Sequence, residues 1–432
     1  MKILFLHPCY QENKKLILSP FKKLIRRVPL TFAQLIALTP ENHEIEIIDE
    51  GQNDRININK NYDLVAISTI TKNAYRAYKI ADKFREKNIP VVMGGYHPST
   101  LPNEAMDHAD SVVVGEAELT WPQLLKDFKD NNLKPFYFQH KPIDPKLIPK
   151  ADRKSRNGYQ PSYDVQATRG CPYQCEFCAI QNIEGHYFRK RPIEDVIDEI
   201  KLIKGSYFGF YDASLTIDTD YTKTLFKRIG ELKKTFICQG NINTLKEDEE
   251  LLKISSKAGC VGWYIGFESI TQGSLDSVGK VNKVKNYDEA IKKIRRNKMA
   301  VKGLFMFGFD KDTPDCFDKT LKAIKEWKID GGDFTILTPF PGTKIYKKFE
   351  KEGRIISKDW SKYTCYHVVF EPKNMTKEEL LEKTYSVINR YYSYKTTLNR
   401  MLDRGNLTFS GYIQKVGFNR FDREFWYNLN IQ

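Results

Sequence analysis

Three cysteines, Cys171, Cys175 and Cys178, stand close together in the segment TRGCPYQCEFCAI. Their spacing, three residues and then two, lets one loop place three thiolates around one face of a cubane cluster. Thiolates are soft ligands that select iron–sulfur clusters or zinc, and three of them leave one iron of a four-iron cluster open. The spacing therefore predicts a four-iron four-sulfur cluster with one iron available to another molecule.

Two other interpretations of these cysteines stay open. A zinc site would need a fourth ligand such as His186, and the three thiols could also be unrelated buried side chains. Zinc sites more usually pair two CxxC knuckles, and the sequence contains no second pair. The remaining cysteines are isolated in predicted strands and helices, where a small buried hydrophobic side chain is the better interpretation. They are Cys9, Cys238, Cys260, Cys316 and Cys365.

The cysteine segment follows the first of six predicted strands that alternate with helical patterns. These strands are YDVQATRG, YFGFYDAS, TFICQGNI, VGWYIGFES, VKGLFMFGF and FTILTPF. Six parallel βα units predict a full or partial barrel, whose catalytic groups would cluster at the carboxyl ends of the strands. We expect this barrel to span residues 162–350, followed by a mostly helical carboxyl-terminal domain over 351–432.

A second α/β pattern fills residues 1–135. Its strands are KILFLH, EIEIID, DLVAIST, PVVMGG and SVVVGE, and the segments between them include helical patterns at 29–38 and 72–87. This alternation predicts a parallel, doubly wound sheet with ligands beyond the carboxyl ends of its strands. Residues 131–161 lose the periodicity and carry five prolines, which predicts a linker over 136–161.

Composition and charge narrow the class of protein. No segment approaches the roughly 20 apolar residues that a membrane span requires, so we expect no transmembrane segment and a cytoplasmic location. The net charge is +14, but the lysines are scattered along helices, which favours a solvated surface and no nucleic-acid partner. The compact basic segment FKKLIRR at 21–27 fits a phosphate or lipid contact and a solvated helix face equally well.

The CxxxCxxC segment, with the aromatic Phe177 before its last cysteine, resembles the radical S-adenosylmethionine (SAM) superfamily. The resemblance implies that the open iron binds the amino and carboxylate groups of SAM, with Phe177 beside it. The reduced cluster would cleave SAM to methionine and a 5′-deoxyadenosyl radical. A flavodoxin- or ferredoxin-type protein would donate the electron. The cofactors supply the difficult chemistry, and the protein positions and shields them.

Polar residues at later strand ends match the same superfamily. Asp212, in FYDAS, stands where the family places groups on the methionyl amine of SAM, although the commoner Gly-Gly-Glu is absent. Gln239 and Asn241 follow the third strand, where ordinary turn capping is an equal alternative. Glu268 and Ser269, in GFES, resemble the segment that meets the ribose and carboxylate of SAM.

The first domain resembles the cobalamin-binding domain of one branch of the superfamily. The matching segments are STITKNAYRAYKIA, VVMGGYHPS and VVVGEAE. The resemblance assigns to cobalamin the residues Ser68, Thr69, Gly94, Gly95, Tyr96, His97, Gly115 and Glu116. The motif Asp-x-His-x-x-Gly, which supplies a histidine to cobalt in many cobalamin proteins, is absent after the first strand, where His7 stands in LHPCY. Many radical SAM members lack this motif, so cobalamin stays the expected ligand.

The resemblance implies both a fold and an activity. The fold is α/β, with a Rossmann-like cobalamin-binding domain, a partial (β/α)6 TIM-type barrel and a helical carboxyl-terminal appendage. The activity is radical methylation of an unactivated carbon of a small-molecule or lipid-like substrate through methylcobalamin. One alternative is a radical SAM cyclase or rearrangement enzyme without methyl transfer. Another is a non-catalytic cobalamin or iron–sulfur sensor.

Overall fold

The amino-terminal part of the chain forms a parallel sheet of six strands. The computed structural model describes residues 1–9, 28–52, 54–153 and 163–429, the last ten as backbone alone. The strands are β1 (Lys2–His7), β2 (Glu44–Asp49), β3 (Leu64–Ser68), β4 (Val91–Gly94), β5 (Ser111–Val114) and β6 (Phe136–Phe138). Their order is β2-β1-β3-β4-β5-β6, so the direction of winding reverses between β1 and β3. This order confirms the predicted doubly wound fold and places its switch point there.

Helices cover both faces of this sheet because its strands are apolar on both sides. The helices are α1 (Leu30–Ala37), α2 (Ala74–Arg85), α3 (Tyr96–Thr100), α4 (Pro102–Met106) and α5 (Thr120–Lys129). Leu4 and Leu6 of β1 pack on the face that α2 covers, whereas Ile3 and Phe5 pack on the face of α1 and α5. Each such fully buried side chain contributes about 1.5–3 kcal/mol.

Strand β6 lies in the segment that the sequence analysis assigned to a linker. It pairs in parallel with β5, from Val112 opposite Phe136 to Val114 opposite Phe138. A strand of three residues is too short for its periodicity to stand out among prolines. The first sheet therefore extends to residue 138, and the other domain boundaries stay predictions. The basic segment at 21–27 lies outside the described residues.

The second half of the chain forms an open parallel sheet with a small antiparallel pair. Its strands are β7 (Tyr163–Val165), β8 (Thr168–Arg169), β9 (Arg189–Lys190), β10 (Tyr207–Phe210), β11 (Thr235–Gln239), β12 (Cys260–Glu268), β13 (Ala300–Phe307) and β14 (Gly331–Ile336). The large sheet has the order β14-β13-β12-β11-β10-β7, while β8 pairs only with β9. Six parallel strands in sequential order, with β7 and β14 at the edges, confirm the predicted partial barrel.

Helices alternate with the barrel strands and continue after them. Those up to the last barrel strand are α6 (Gln181–Glu184), α7 (Ile193–Lys201), α8 (Thr219–Gly230), α9 (Ile242–Glu247), α10 (Glu249–Ala258), α11 (Gln272–Asp276), α12 (Tyr287–Arg296) and α13 (Cys316–Glu326). The later ones are α14 (Lys344–Lys351), α15 (Lys377–Tyr391), α16 (Tyr394–Leu402) and α17 (Phe409–Leu429). Short 3-10 turns lie at Glu50–Gln52, Thr71–Asn73, Pro145–Leu147, Leu215–Ile217, Val284–Asn286 and Trp360–Lys362.

The carboxyl-terminal helices pack on the outside of the barrel, which confirms the predicted helical appendage. Thr376 and Glu379 form a reciprocal capping box at the start of α15. The buried ammonium of Lys415 in α17 lies 3.0 Å from the carboxylate of Asp330, just before β14. Among the helices within the described ranges, none combines the length and the apolar character needed to cross a bilayer.

Candidate functional site

The three cysteines lie in a loop over residues 170–188 whose base is closed by the β8–β9 pair. Arg169 of β8 stands opposite Arg189 of β9. Just inside this base, the backbone N–H of Gly170 donates to Glu184 Oε2 at 2.9 Å. The N–H of Cys171 donates to the carbonyl oxygen of Gly185 at 3.3 Å. Backbone contacts therefore join the two ends of the loop beside its first cysteine.

The middle of the cysteine loop is fastened to the barrel. The N–H of Glu176 donates to the carbonyl of Val278 at 2.9 Å, and the N–H of Ile345 donates to the carbonyl of Glu176 at 3.0 Å. Within the loop, the N–H of Cys178 donates to the carbonyl of Cys175 at 3.1 Å. The segment after β12 and the start of α14 thus hold the cysteines in place.

Lys280, whose side chain is 16% exposed, lies near the thiols. Burial raises the pKa of Cys175 to about 11 and raises the pKa values of Cys171 and Cys178, while the nearby ammonium of Lys280 lowers all three. Lys280 Nζ also lies 2.8 Å from Glu268 Oε1. Sequence reasoning missed this lysine, because one lysine in a lysine-rich chain carries no signal.

The donor set fits a cubane cluster better than a zinc ion. Among the described residues, no three His, Cys, Asp or Glu side chains lie close enough to share one metal ion. In a cubane each thiolate binds a different iron atom, so its ligands stand farther apart than those of a single ion. His186, the fourth ligand of the zinc alternative, is exposed. Three thiols without a fourth ligand suit a four-iron four-sulfur cluster.

The predicted SAM residues Glu268 and Ser269 lie at the end of β12, beside this loop. Glu268 has a φ of +60°, and the pairing of β12 with β13 shifts register between Gly266 and Glu268. Ser269 Oγ accepts the N–H of Thr271 at 3.1 Å. A non-glycine residue in the left-handed region at a strand end is a strained conformation of the kind found at functional sites.

Gln239 is the last residue of β11, and Asn241 lies two residues later, at the start of α9. Asn241 caps α9, since its Oδ1 accepts the N–H of Asn243 at 2.9 Å, as the capping alternative predicts. Its Nδ2 donates to the buried Asn282 at 3.1 Å, and Asn282 Nδ2 donates to the carbonyl of Gly266 at 2.7 Å. Asn282, which the sequence analysis missed, thus joins the ends of β11 and β12. Gln239 is half-buried.

Asp212 is fully buried and supports the segment that leads into the cysteine loop. Its Oδ1 accepts from the hydroxyl of Thr168 at 2.6 Å and from the N–H of Ala167 at 3.1 Å. Burial raises the pKa of Asp212 to about 7, although the bonds from Thr168 and Ala167 lower it. Its assignment to the methionyl amine stays a prediction. Phe177 packs against Phe309, with ring centroids 5.9 Å apart.

A cavity of about 580 Å³ lies at the carboxyl edge of the first sheet. Seven of the residues assigned to cobalamin line it, namely Ser68, Thr69, Gly94, Gly95, Tyr96, Gly115 and Glu116. His97 is the exception, because it does not line the cavity, and its assignment to cobalamin stays a prediction. Its side chain is fully buried, and Nε2 lies 3.0 Å from the hydroxyl of Tyr78 and 3.3 Å from Glu104. Nε2 therefore has polar partners in the core, whereas Nδ1 is buried without a hydrogen-bond partner among the described residues.

Glycines form the wall of this cavity where a side chain would not fit. Gly95 has a φ of +96°, and a Cβ there would lie 2.9 Å from Ser68 Oγ. Gly115 has a φ of +89°, and its Cβ would lie 2.8 Å from the carbonyl oxygen of Gln139. Bare backbone lets a bulky ligand come close, and the apolar side chains of Phe32 and Trp121 also line the cavity. These features fit cobalamin.

The other wall of the cavity comes from the barrel and the cysteine loop. Arg169, Ile180 and Glu184 all line it. Arg169 Nη1 lies 2.9 Å from Glu116 Oε1, and Nη2 lies 2.7 Å from Glu118 Oε1. Burial disfavours the charged guanidinium, but the two carboxylates outweigh this effect and raise the pKa of Arg169. The cavity and the cysteine loop are therefore neighbours that share residues.

Comparison with known proteins identifies the family. Residues 165–324 match the model of the radical SAM superfamily, and residues 33–125 match that of the B12 binding domain. The chain is 35% identical to bacteriochlorophyllide d C-8(2)-methyltransferase of Chlorobaculum tepidum, over 85% of this chain and 86% of that one. The chain belongs to the cobalamin-dependent radical SAM enzymes. The bacteriochlorophyllide d C-12(1)-methyltransferase of that organism is 32% identical, over 87% of this chain and 84% of its own.

Solved structures agree with the fold of this radical SAM enzyme. The methyltransferase TsrM of Kitasatospora setae, solved with cobalamin and a [4Fe-4S] cluster, superposes with a TM-score of 0.70 at 14% identity and covers 98% of this chain and 99% of its own. OxsB with aqua-cobalamin and SAM gives a TM-score of 0.66 at 15% identity, over 99% of this chain and 72% of that one. Both therefore share the arrangement of the radical SAM enzyme described above.

Replacing Gly95 with alanine is expected to destabilise the radical SAM enzyme. The positive φ and the contact with Ser68 should together cost about 1–3 kcal/mol. Denaturant unfolding of the cobalamin-free protein measures this cost, and the affinity for cobalamin should fall with it. Gly417→Ala is the control, because a Cβ at this helical glycine meets nothing within 4 Å. Equal stabilities of the two variants would contradict the prediction.

Proposed function

We propose that this enzyme transfers a methyl group to an unactivated carbon of a small-molecule substrate. The observation that carries the proposal is the shared wall of Arg169, Ile180 and Glu184 between the cobalamin-type cavity and the cysteine loop. When bound, the cluster with SAM supplies abstraction of a hydrogen atom, and cobalamin supplies a transferable methyl group. A radical carbon must meet its methyl donor before water or another group quenches it, so adjacent cofactor sites suit this reaction.

In this proposal Cys171, Cys175 and Cys178 bind the cluster. The positive charge of Lys280 stabilises the thiolates, which burial alone would destabilise. The ion pair with Glu268 holds the ammonium group of Lys280 in position. Glu268 and Ser269 contact SAM from the end of β12. Asp212 acts as a positioning residue, since it holds the backbone of residues 167–168 ahead of the loop.

The residues that line the cavity at the end of the first sheet bind cobalamin in this proposal. They include the hydroxyl side chains of Ser68 and Thr69, bare backbone at the glycines, and the apolar side chains of Phe32 and Trp121. A flavodoxin- or ferredoxin-type protein supplies the electron to the cluster in this proposal, and a cytoplasmic location is proposed with it. Two relatives are named for methylation of bacteriochlorophyllide d, so a chlorophyllide-type macrocycle is the first substrate class to test.

Isotope tracing tests the methyl transfer. The reconstituted, reduced enzyme with cobalamin is given SAM that carries a deuterated methyl group, first without substrate and then with bacteriochlorophyllide d. We expect the label in the bound cobalamin in the first reaction and in the product in the second, with deoxyadenosine formed alongside. Mass spectrometry reads both. Deoxyadenosine without label in cobalamin would contradict methyl transfer and favour a cyclase, and failure to cleave SAM would favour a sensor.

A further inference from the structure

Two buried side chains in the cavity, Gln34 and Glu118, each keep one unpaired polar atom. Both residues line the cavity. Gln34 is 8% exposed and Glu118 is 7% exposed. Among the described residues, Gln34 Nε2 and Glu118 Oε2 are buried and make no hydrogen bond. Buried polar atoms without partners are rare because their desolvation is costly, so these two atoms call for a ligand.

Arg169 determines which atoms stay unpaired. Its Nη2 lies 2.7 Å from Glu118 Oε1 and 3.3 Å from Gln34 Oε1. The amide of Gln34 cannot be reversed, since its NH2 group would then face the guanidinium. Glu118 pairs with Arg169 through Oε1, and Oε2 of this carboxylate is an acceptor. Gln34 therefore offers a donor, and Glu118 offers an acceptor, on either side of one arginine.

We propose that Gln34 and Glu118 form a clamp for a primary amide of the ligand. The carbonyl oxygen of that amide would accept from Gln34 Nε2, and its NH2 group would donate to Glu118 Oε2. The corrin ring of cobalamin carries primary amides on its peripheral side chains, and one of these is the occupant. This inference rests on the cavity being the cobalamin site, as proposed above.

The clamp also ties the corrin to the cluster. Arg169 holds both clamp residues and stands two positions before Cys171. Its Nε donates to Gln166 Oε1 at 2.8 Å, and Gln166 Nε2 donates to Glu184 Oε1 at 3.1 Å. An amide seated in the clamp thus has its position set by the same residues that close the cysteine loop.

Binding of corrinoids to the cluster-loaded, cobalamin-free enzyme tests the clamp. Equilibrium dialysis compares cobalamin, cobinamide and cobalamin monocarboxylates, in which one amide is hydrolysed to an acid. Wild type should bind the monocarboxylate altered at the clamped position about tenfold more weakly than cobalamin, because a carboxylate cannot donate to Glu118. Glu118→Gln supplies a donor instead and should reduce or reverse that preference. A merely structural role of Glu118 would weaken the binding of both corrinoids alike and would not change the preference between them.

Gln34 gives a second, independent arm. Gln34→Leu should weaken the binding of both cobalamin and cobinamide about tenfold, because cobinamide lacks the nucleotide but retains primary amides. Gln34→Met, closer in shape, repeats the measurement if the leucine variant folds poorly. Gln123→Leu is the matched control, since Gln123 is exposed on α5 and bonds to Asp127.

The outcomes separate the clamp from the cobalamin site itself. If wild type binds cobalamin and the Gln34 and Glu118 variants stay within about twofold of it, the clamp is overturned. If the penalty in the Gln34 variants disappears with cobinamide, the partner is a hydroxyl of the nucleotide, and the amide assignment fails. If the wild-type enzyme with a full cluster binds no corrinoid, the assignment of the cavity to cobalamin is overturned, and the clamp is overturned together with it.

Discussion

Replacing Cys175 with alanine is expected to remove the iron–sulfur cluster and abolish SAM cleavage while leaving cobalamin binding largely intact. Each thiolate would bind a different iron atom, so two remaining cysteines leave a second iron without a protein ligand. The cavity assigned to cobalamin is lined by none of the three cysteines. Iron and sulfide analysis, deoxyadenosine formation and corrinoid binding measure the three properties separately.

Cys316→Ala is the control for this variant. Cys316 is buried at the first position of α13, outside the loop, so its replacement tests the loss of a buried thiol alone. It should keep a full complement of iron and SAM cleavage. Wild-type iron content in the Cys175 variant would contradict the cluster assignment. Loss of corrinoid binding together with the iron would show that the two sites do not fold independently.

Much of the fold follows from local pattern. Strands that are buried on both faces read as short apolar runs, such as VVMGG around β4 and LFMF at the end of β13. Parallel strands bring their carboxyl ends to one edge, which is why residues that follow different strands, such as Gly95 and Gly115, line one cavity. The sequence predicts this edge of the sheet because the glycine motifs directly follow the predicted strands.

What the sequence does not reveal depends on contacts between distant segments. Lys280 meets the cysteines across about a hundred residues of chain, and Asn282 joins two strand ends from a loop. Arg169 becomes part of the cavity only because the first sheet docks against the barrel. His97 follows the glycine pair, yet its ring turns into the core toward Tyr78. Side-chain direction in a short helix such as α3 is set by packing, which a motif does not specify.

Replacing Gly170 with alanine is expected to be as damaging to the cluster as the loss of a cysteine. Gly170 has a φ of +80°, and a Cβ at this position would overlap the backbone carbonyl oxygen of Tyr187. Backbone cannot rotate away as a side chain can, so the β8–β9 pair must separate. Its N–H would then leave Glu184 Oε2, and Cys171 would move with it.

Gly185→Ala separates this overlap from the cost of the backbone conformation alone. Gly185 has a φ of +77° at the other side of the same loop, but a Cβ there would only approach Pro142 Cγ at 3.3 Å. It should cost about 1–2 kcal/mol of stability and still load a cluster. Gly170→Ala should lose most of its iron while the circular dichroism persists, because the first sheet does not depend on the loop. Corrinoid binding should weaken as well, because Arg169 and Glu184 line the cavity. Equal iron content in the two variants would mean that the loop tolerates the opening of its base, and that the cysteines are positioned instead by the contacts of Glu176 with Val278 and Ile345.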